Sequence, residues 1–137
     1  IICARQHTLS LSENGNVFSF GNSTCGCLGY EIQNPKLNGL PKSIPSLENI
    51  KSIAAGEHCV CLDYCGNVYT FGDNEFGQLG IGLDKNTLPF TYIPQKVNLP
   101  PCTQISCGFN FTMCLGESGE VYSFGINRNG QLGIGNN

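Results

Sequence analysis

Residues 119–135 read GEVYSFGINRNGQLGIG, and residues 66–82 read GNVYTFGDNEFGQLGIG. The two stretches agree at 12 of 17 positions and share the whole hexapeptide GQLGIG. A Gly-rich hexapeptide following Phe-Gly is either a phosphate-cradling loop or the corner of a repeated unit. A dinucleotide fingerprint needs GxGxxG after a strand and opening a helix, and a phosphate-binding P-loop needs Gly-Lys-Ser/Thr. Neither context is present. Leu79 and Ile81 read as packing residues, so the glycines are assigned to tight turns and close approach of neighbouring backbones.

A divergent third copy, GNVFSFGNSTCGCLGYE, occupies residues 15–31 and matches the copy at 66–82 in 8 of 17 positions. The opening glycines Gly15, Gly66 and Gly119 are separated by 51 and 53 residues. The similarity continues upstream. His7-Thr8-Leu9-Ser10-Leu11, His58-Cys59-Val60-Cys61-Leu62 and Phe111-Thr112-Met113-Cys114-Leu115 each start eight residues before their Gly. Pro41-Lys42-Ser43-Ile44 parallels Pro94-Gln95-Lys96-Val97, and the stretch from Ile50 to Gly56 parallels that from Thr103 to Gly108. The chain therefore reads as one repeat region, 1–137, with a partial unit (1–31) and two fuller units (32–82 and 83–135).

Each unit predicts a strand, a turn rich in Asn, Gly, Ser and acids, and a second strand. Gly15, Gly66 and Gly119 supply the positive φ that a tight hairpin needs. The following Val-aromatic-Ser/Thr-Phe run is β-branched and aromatic and alternates with period two. Phe18/Phe20, Tyr69/Phe71 and Tyr122/Phe124 share one face, and Val17/Ser19, Val68/Thr70 and Val121/Ser123 the other. The first strand alternates large and small residues, as His7/Leu9/Leu11 against Thr8/Ser10. That pattern suits a strand covered on both sides in a stack of radial sheets. The linking stretches carry all seven prolines, which permits short edge strands and no long helix. The fold class is all-β, and a unit of about 50 residues lies in the range of propeller blades.

The pattern GxVYxFGxNxxGQLGxG, preceded by a Gly-x-x-His-x-x-x-Leu strand and Pro-x-x-Ile/Val, resembles the RCC1 (regulator of chromosome condensation) repeat. The resemblance covers about 2.7 repeats. The first copy departs from it where Cys27 replaces Gln and Tyr30-Glu31 replace Ile-Gly, and Phe111 stands where the family has His. The resemblance implies a seven-bladed β-propeller, which needs more than about 350 residues. This chain is accordingly expected to be an open arc, with the remaining blades outside it.

Composition narrows the function classes. The chain is 40% hydrophobic and 12% charged, with a net charge of -3. Its seven Lys and Arg are scattered, so no basic patch for nucleic acid is expected. No apolar run approaches the roughly 18 residues of a membrane span. The N-terminus has no initiator Met or signal-peptide pattern, and both ends read as cut from a longer polypeptide. Nine irregularly spaced cysteines argue against a disulfide framework and for reduced thiols in the cytoplasm or nucleus.

The candidate chemical residues each have a plainer architectural reading. Cys59, Cys61 and Cys65 near His58 raise a zinc site, but the CxC thiols share one strand face and His58 lies on the other. Cys59 and Cys61 align with Thr8/Thr112 and Ser10/Cys114, so Cys fills a small-residue slot. Cys25 and Cys27 flank Gly26 and raise redox chemistry, but Cys25 aligns with Phe76 and Asn129, so the repeat demands no thiol there. His7 and His58 occupy one repeat position that suits structural hydrogen bonding. The sequons at Asn22 and Asn110 carry little weight without a signal peptide. No catalytic set, cofactor motif or metal site is assigned. What varies within the repeating frame is the turn at 22–25, 73–76 and 126–129. Asp73, Glu75, Phe76 and Arg128 are therefore the candidate partner-contact residues.

The expected function is a protein–protein interaction platform in regulation or signalling, without covalent chemistry. The resemblance implies two alternatives: guanine-nucleotide exchange on a Ran-type small GTPase, or the propeller part of a larger ubiquitin ligase or kinase. The uniform spacings leave no room for the wedge-like insertion that exchange implies. Association with histones is neither supported nor excluded by this mildly acidic segment.

Overall fold

The computed structural model describes residues 1–33 and 39–135, which form eleven strands in three antiparallel sheets and no helix. The first sheet contains β1 (Ile2–Cys3), β2 (His7–Leu11), β3 (Val17–Gly21) and β4 (Lys42–Ser43) in that order. The second contains β5 (Ile50–Ala55), β6 (His58–Asp63), β7 (Val68–Asp73) and β8 (Phe90–Lys96). The third contains β9 (Cys102–Cys107), β10 (Phe111–Gly116) and β11 (Val121–Gly125). Part of the first linking stretch, including Pro35, lies outside the described residues.

The repeated hairpin is the middle of each sheet, and its register is the same three times. His7 pairs with Gly21, His58 with Gly72 and Phe111 with Gly125. These glycines have φ of +115°, +105° and +115°, a region side chains rarely adopt. A Cβ there would also come within 2.8, 2.8 and 2.7 Å of the Cα of His7, His58 and Phe111. The Gly of each Phe-Gly pair is thus required by the hairpin itself.

The strands β1, β5 and β9 lie successively against one another on the inner side of the stack. The sheets do not coincide with the sequence units: β4 and β8 close the first and second sheets, although each lies past the boundary at 31/32 or 82/83. The last strand of the first and of the second sheet therefore comes from the following unit, which ties consecutive units together. The segment before His7 carries β1, whose Ile2 and Cys3 pair with Leu9 and Thr8.

The alternation of large and small residues becomes the packing between sheets. At the first seam Leu9 and Val17 pack with Cys59, Cys61 and Phe71. At the second, Val60, Leu62 and Val68 pack with Cys102 and Cys114, flanked by Tyr122 and Phe124. Cys thus serves as the small partner on the receiving face. The middle glycine of the hexapeptide belongs to the same seams, whereas a Cβ on Gly77 or Gly82 would meet nothing within 4 Å: a Cβ on Gly80 would lie 2.5 Å from the Phe124 ring, and one on Gly29 3.1 Å from Phe71. At Gly133 nothing lies within 4 Å. Likewise Val17 and Val68 are 0% and 1% exposed, while the equivalent Val121 is 62% exposed. The outer face of the third sheet is open.

The second sheet carries a bulge: Thr70 pairs with Gln95 and Gly72 with Thr91, so β8 advances four residues while β7 advances two. The Thr91 hydroxyl holds it, accepting from the Ile93 amide (3.1 Å) and donating to the Ile93 carbonyl (3.0 Å). Bulges of this kind re-aim side chains. Here Tyr92 and Ile93 turn outward.

Candidate interaction surface

The loops that follow β3, β7 and β11 hang from a frame built by repeated side chains. A hydroxyl on each aromatic strand donates to the carbonyl of the hexapeptide Leu: Ser19 to Leu28 (2.6 Å), Thr70 to Leu79 (2.8 Å) and Ser123 to Leu132 (2.9 Å). The Asn74 and Asn127 carboxamides accept from the amides of Leu79 (3.2 Å) and Leu132 (2.9 Å). Gln78 and Gln131 accept from the amides of Phe76 (2.8 Å) and Asn129 (2.9 Å). Backbone polar groups in these turns are thereby satisfied without regular structure.

Gln78 is fully buried, and its Nε2 donates to Asp73 Oδ2 (2.6 Å) and to Asn110 Oδ1 in the third sheet (3.3 Å). One side chain therefore shapes the 73–76 loop and ties it to the next blade. In the first unit Cys27 stands at this position and its thiol donates to the Glu57 carbonyl (3.1 Å). Asn74 and Gln78 are not among the residues singled out from the sequence, and Asn110 is named there only as a sequon. The signal was present, since Asn74/Asn127 and Gln78/Gln131 are identical within otherwise unlike loops.

The four candidate contact residues sit differently. Glu75 and Arg128 are exposed, while Asp73 and Phe76 are half-buried. Asp73 belongs to the frame through Gln78, and burial pushes its carboxyl above the usual range against that hydrogen bond. Phe76 and Arg128 come together from different blades, with the guanidinium carbon 5.5 Å from the ring centroid. A groove of about 480 Å³ opens beside them, lined by Glu75, Phe76, Leu83, Asp84, Lys85 and Asn86. Asn74 anchors its far wall by donating to the carbonyls of Leu83 and Leu88, each at 2.9 Å. A second groove of about 320 Å³ is lined by Leu88, Pro89, Phe90, Tyr92 and Ile93.

Carboxylates gather at the first seam on this side. Burial raises the Cys25 thiol, and the charges of Asp73, Glu57 and Glu75 raise it further, so it stays protonated. The histidines lie beneath the loops in a repeated relay. Thr112 donates to the Gln78 carbonyl (2.8 Å), so its hydroxyl oxygen accepts from His58 Nε2, 2.6 Å away. At the first seam Cys59 donates to the Cys27 carbonyl (3.3 Å), and His7 Nε2 lies 3.1 Å from its sulfur. His58 Nδ1 is buried without a partner.

The Cys59–His7 pair has the spacing of a nucleophile and base, but its environment opposes that role. Cys59 is 0% exposed, and burial pushes its thiol well up while it pushes the His7 imidazole down. Both groups are buried and held neutral. The relay is architectural. Among the described residues no group of three His, Cys, Asp or Glu side chains is placed to hold a metal ion. No described helix is long and apolar enough to cross a membrane.

Comparison with known proteins matches this geometry. The regulator of chromosome condensation (RCC1) repeat matches residues 14–62 and 65–115, and a second form of the same repeat matches 102–131. The chain is 33% identical to the ultraviolet-B receptor UVR8 of Arabidopsis thaliana over 98% of its own length and 31% of that protein's. It is 36% identical to human Protein RCC2, covering 93% of this chain and 24% of that one. It is 34% identical to human HERC6, a probable E3 ubiquitin-protein ligase, covering 97% of this chain and 13% of that one. Among solved structures, yeast RCC1 (Prp20) bound to Kap60 superposes with a TM-score of 0.78 at 29% identity, over 89% of this chain and 28% of that one. Human WBSCR16 superposes with a TM-score of 0.77 at 22% identity, which supports the fold alone. The chain spans about a third or less of each of these relatives. With the repeat matched across most of its length and the blades stacked as described, the chain belongs to the RCC1 repeat family of β-propellers.

Proposed function

We propose that this chain is part of a propeller whose loop-bearing end is a protein–protein interaction platform, acting by binding and without covalent chemistry. The carrying observation is the division within each unit. The Ser19, Thr70 and Ser123 hydroxyls hold the same Leu carbonyl in all three units. Asn74 and Gln78 recur as Asn127 and Gln131 in the third, and the residues suspended between them differ from blade to blade. A rigid scaffold presenting unlike loops is the arrangement of a recognition surface. A compartment with reduced thiols, cytoplasm or nucleus, fits nine free cysteines of which Cys3 and Cys65 are exposed. The test places a photo-crosslinking amino acid at Asn129, an exposed loop position, in the full-length protein in cells. A single dominant adduct that disappears when Glu75 and Phe76, whose side chains lie outside the frame, are replaced by serine supports the platform. Adducts indifferent to that replacement count against it.

A small GTPase is the partner to try first, because the likeness to yeast RCC1 is close in both sequence and fold. Full-length protein mixed with Ran carrying fluorescent GDP tests exchange. Accelerated release supports an exchange factor, and unchanged release removes that reading while leaving binding in place. The likeness to HERC6 supports a second context, a propeller attached to a ligase domain, and the sequence flanking this chain decides it.

A further inference from the structure

The groove beside Phe76 carries chemistry that no relative's name describes. Its floor is the Phe76 ring and the Leu83 side chain, the latter 43% exposed. Its walls carry two carboxylates, Glu75 and Asp84, against one ammonium, Lys85, leaving a net charge of -1 from those three residues. Asp84 is committed to the charged form. Its carboxylate accepts from the Thr87 amide (3.0 Å) and hydroxyl (2.9 Å) and from the Asn86 amide (3.1 Å), which hold it below the ordinary range. Among the described residues neither Glu75 nor Asp84 is in an ion pair, and the Arg128 guanidinium beside the groove stands over Phe76 rather than against either acid.

Arg128 supplies an observation independent of the acids. It reaches from the third blade and lays its guanidinium over Phe76. The face of Phe76 thus already receives a basic planar group, in an exposed contact that a competitor displaces easily. The volume, about 480 Å³, suits one or two side chains of an extended segment. The bulged β8 nearby does not compete as a strand-pairing site at Ile93, because Thr91 already occupies both main-chain groups of that residue.

We infer that the groove between residues 75–77 and 82–86 binds a protein segment in which arginine neighbours an aliphatic residue. The arginine takes the Phe76 face in place of Arg128, between Glu75 and Asp84, and the aliphatic side chain covers Leu83. This rests on the interaction-platform reading and names the chemistry of its partner. Arg128 is then a built-in competitor that weakens binding, although it carries no repulsive contact with the groove.

The test measures fluorescence anisotropy of a capped, labelled peptide of alternating Arg and Leu on the full-length protein, with a Glu-Leu peptide as control. Saturable binding of the first peptide alone is expected. Arg128→Ala should tighten it about threefold, while Phe76→Leu and Glu75→Gln should each weaken it about fivefold or more. All three positions are at least partly exposed, and Phe76→Leu keeps an apolar side chain, so folding is preserved. Absence of saturable binding, or binding that Phe76→Leu and Arg128→Ala leave unchanged, overturns the inference. If the Asn129 adduct still forms and still depends on Glu75 and Phe76 in that case, the platform reading stands and only the basic-segment reading falls.

Discussion

His58 and Thr112 meet across the seam between the second and third blades, Nε2 2.6 Å from Oγ1, just as His7 and Cys59 meet 3.1 Å apart across the first. Both contacts are buried, and both end on a carbonyl of the preceding blade, Gln78 or Cys27. A repeated polar bridge inside an apolar seam sets the register in which one blade stacks on the next.

Thr112→Val keeps the shape and removes the hydroxyl, leaving the Gln78 carbonyl without a partner and the His58 N–H with only the Cys107 sulfur, 3.6 Å away. Urea unfolding should show a loss of about 2 kcal/mol, in the range for a buried unsatisfied group. A double-mutant cycle with His58→Leu should recover about 1 kcal/mol of it, because the second change removes the stranded donor.

Burial, and to a lesser degree the charge of His7, pushes the His58 imidazole down to about 4 from an ordinary 6.5. The folded state therefore binds its proton less readily than the unfolded state. The associated stability is fully present above pH about 6.5 and is lost as pH falls from there toward about 4. The loss should approach about 3 kcal/mol, and His7, also lowered, adds in the same direction. Asp73, whose carboxyl is raised, contributes with the opposite sign. Comparing urea midpoints at neutral and acidic pH for the protein and for His58→Gln isolates the histidine; the variant should lose the larger part of the slope.

Gly80 and Gly133 occupy the same place in the hexapeptide, with φ of +65° and +68°. Alanine at Gly133 meets only the backbone penalty of the left-handed region, about 1 kcal/mol. Alanine at Gly80 meets that penalty and the Phe124 ring, so Gly80→Ala should cost about 2–4 kcal/mol in the same unfolding measurement. Equal costs would mean that the seam yields.

Thiol accessibility should follow burial. Cys3 and Cys65 are exposed, whereas Cys59 and Cys61 are fully buried and burial pushes the Cys27 thiol up to about 12. Alkylation of the native protein followed by mass spectrometry should label Cys3 and Cys65 first. Cys27, Cys59 and Cys61 should react only after denaturation.

The sequence alone established the repeat, the hairpins and the class of fold. Identical spacing, a turn glycine and period-two alternation are local properties, and a strand needs nothing distant to display them. It also showed why Cys appears at 59 and 61, since alignment with Thr and Ser marks a small-residue slot. The inner strands β5 and β9 were visible only as aligned segments. Their side chains do not alternate cleanly, because neighbouring blades cover them unevenly. The site was legible in part. Unlike loops in a constant frame pointed to Asp73, Glu75, Phe76 and Arg128, but sequence spacing carries no information on which of them touch. Arg128 reaches Phe76 from 52 positions away only because two sheets stack in one register, and Asp73 joins the frame rather than the surface because Gln78 folds beneath it. Local periodicity decides the blade, and the packing of one blade on the next decides which side chains meet.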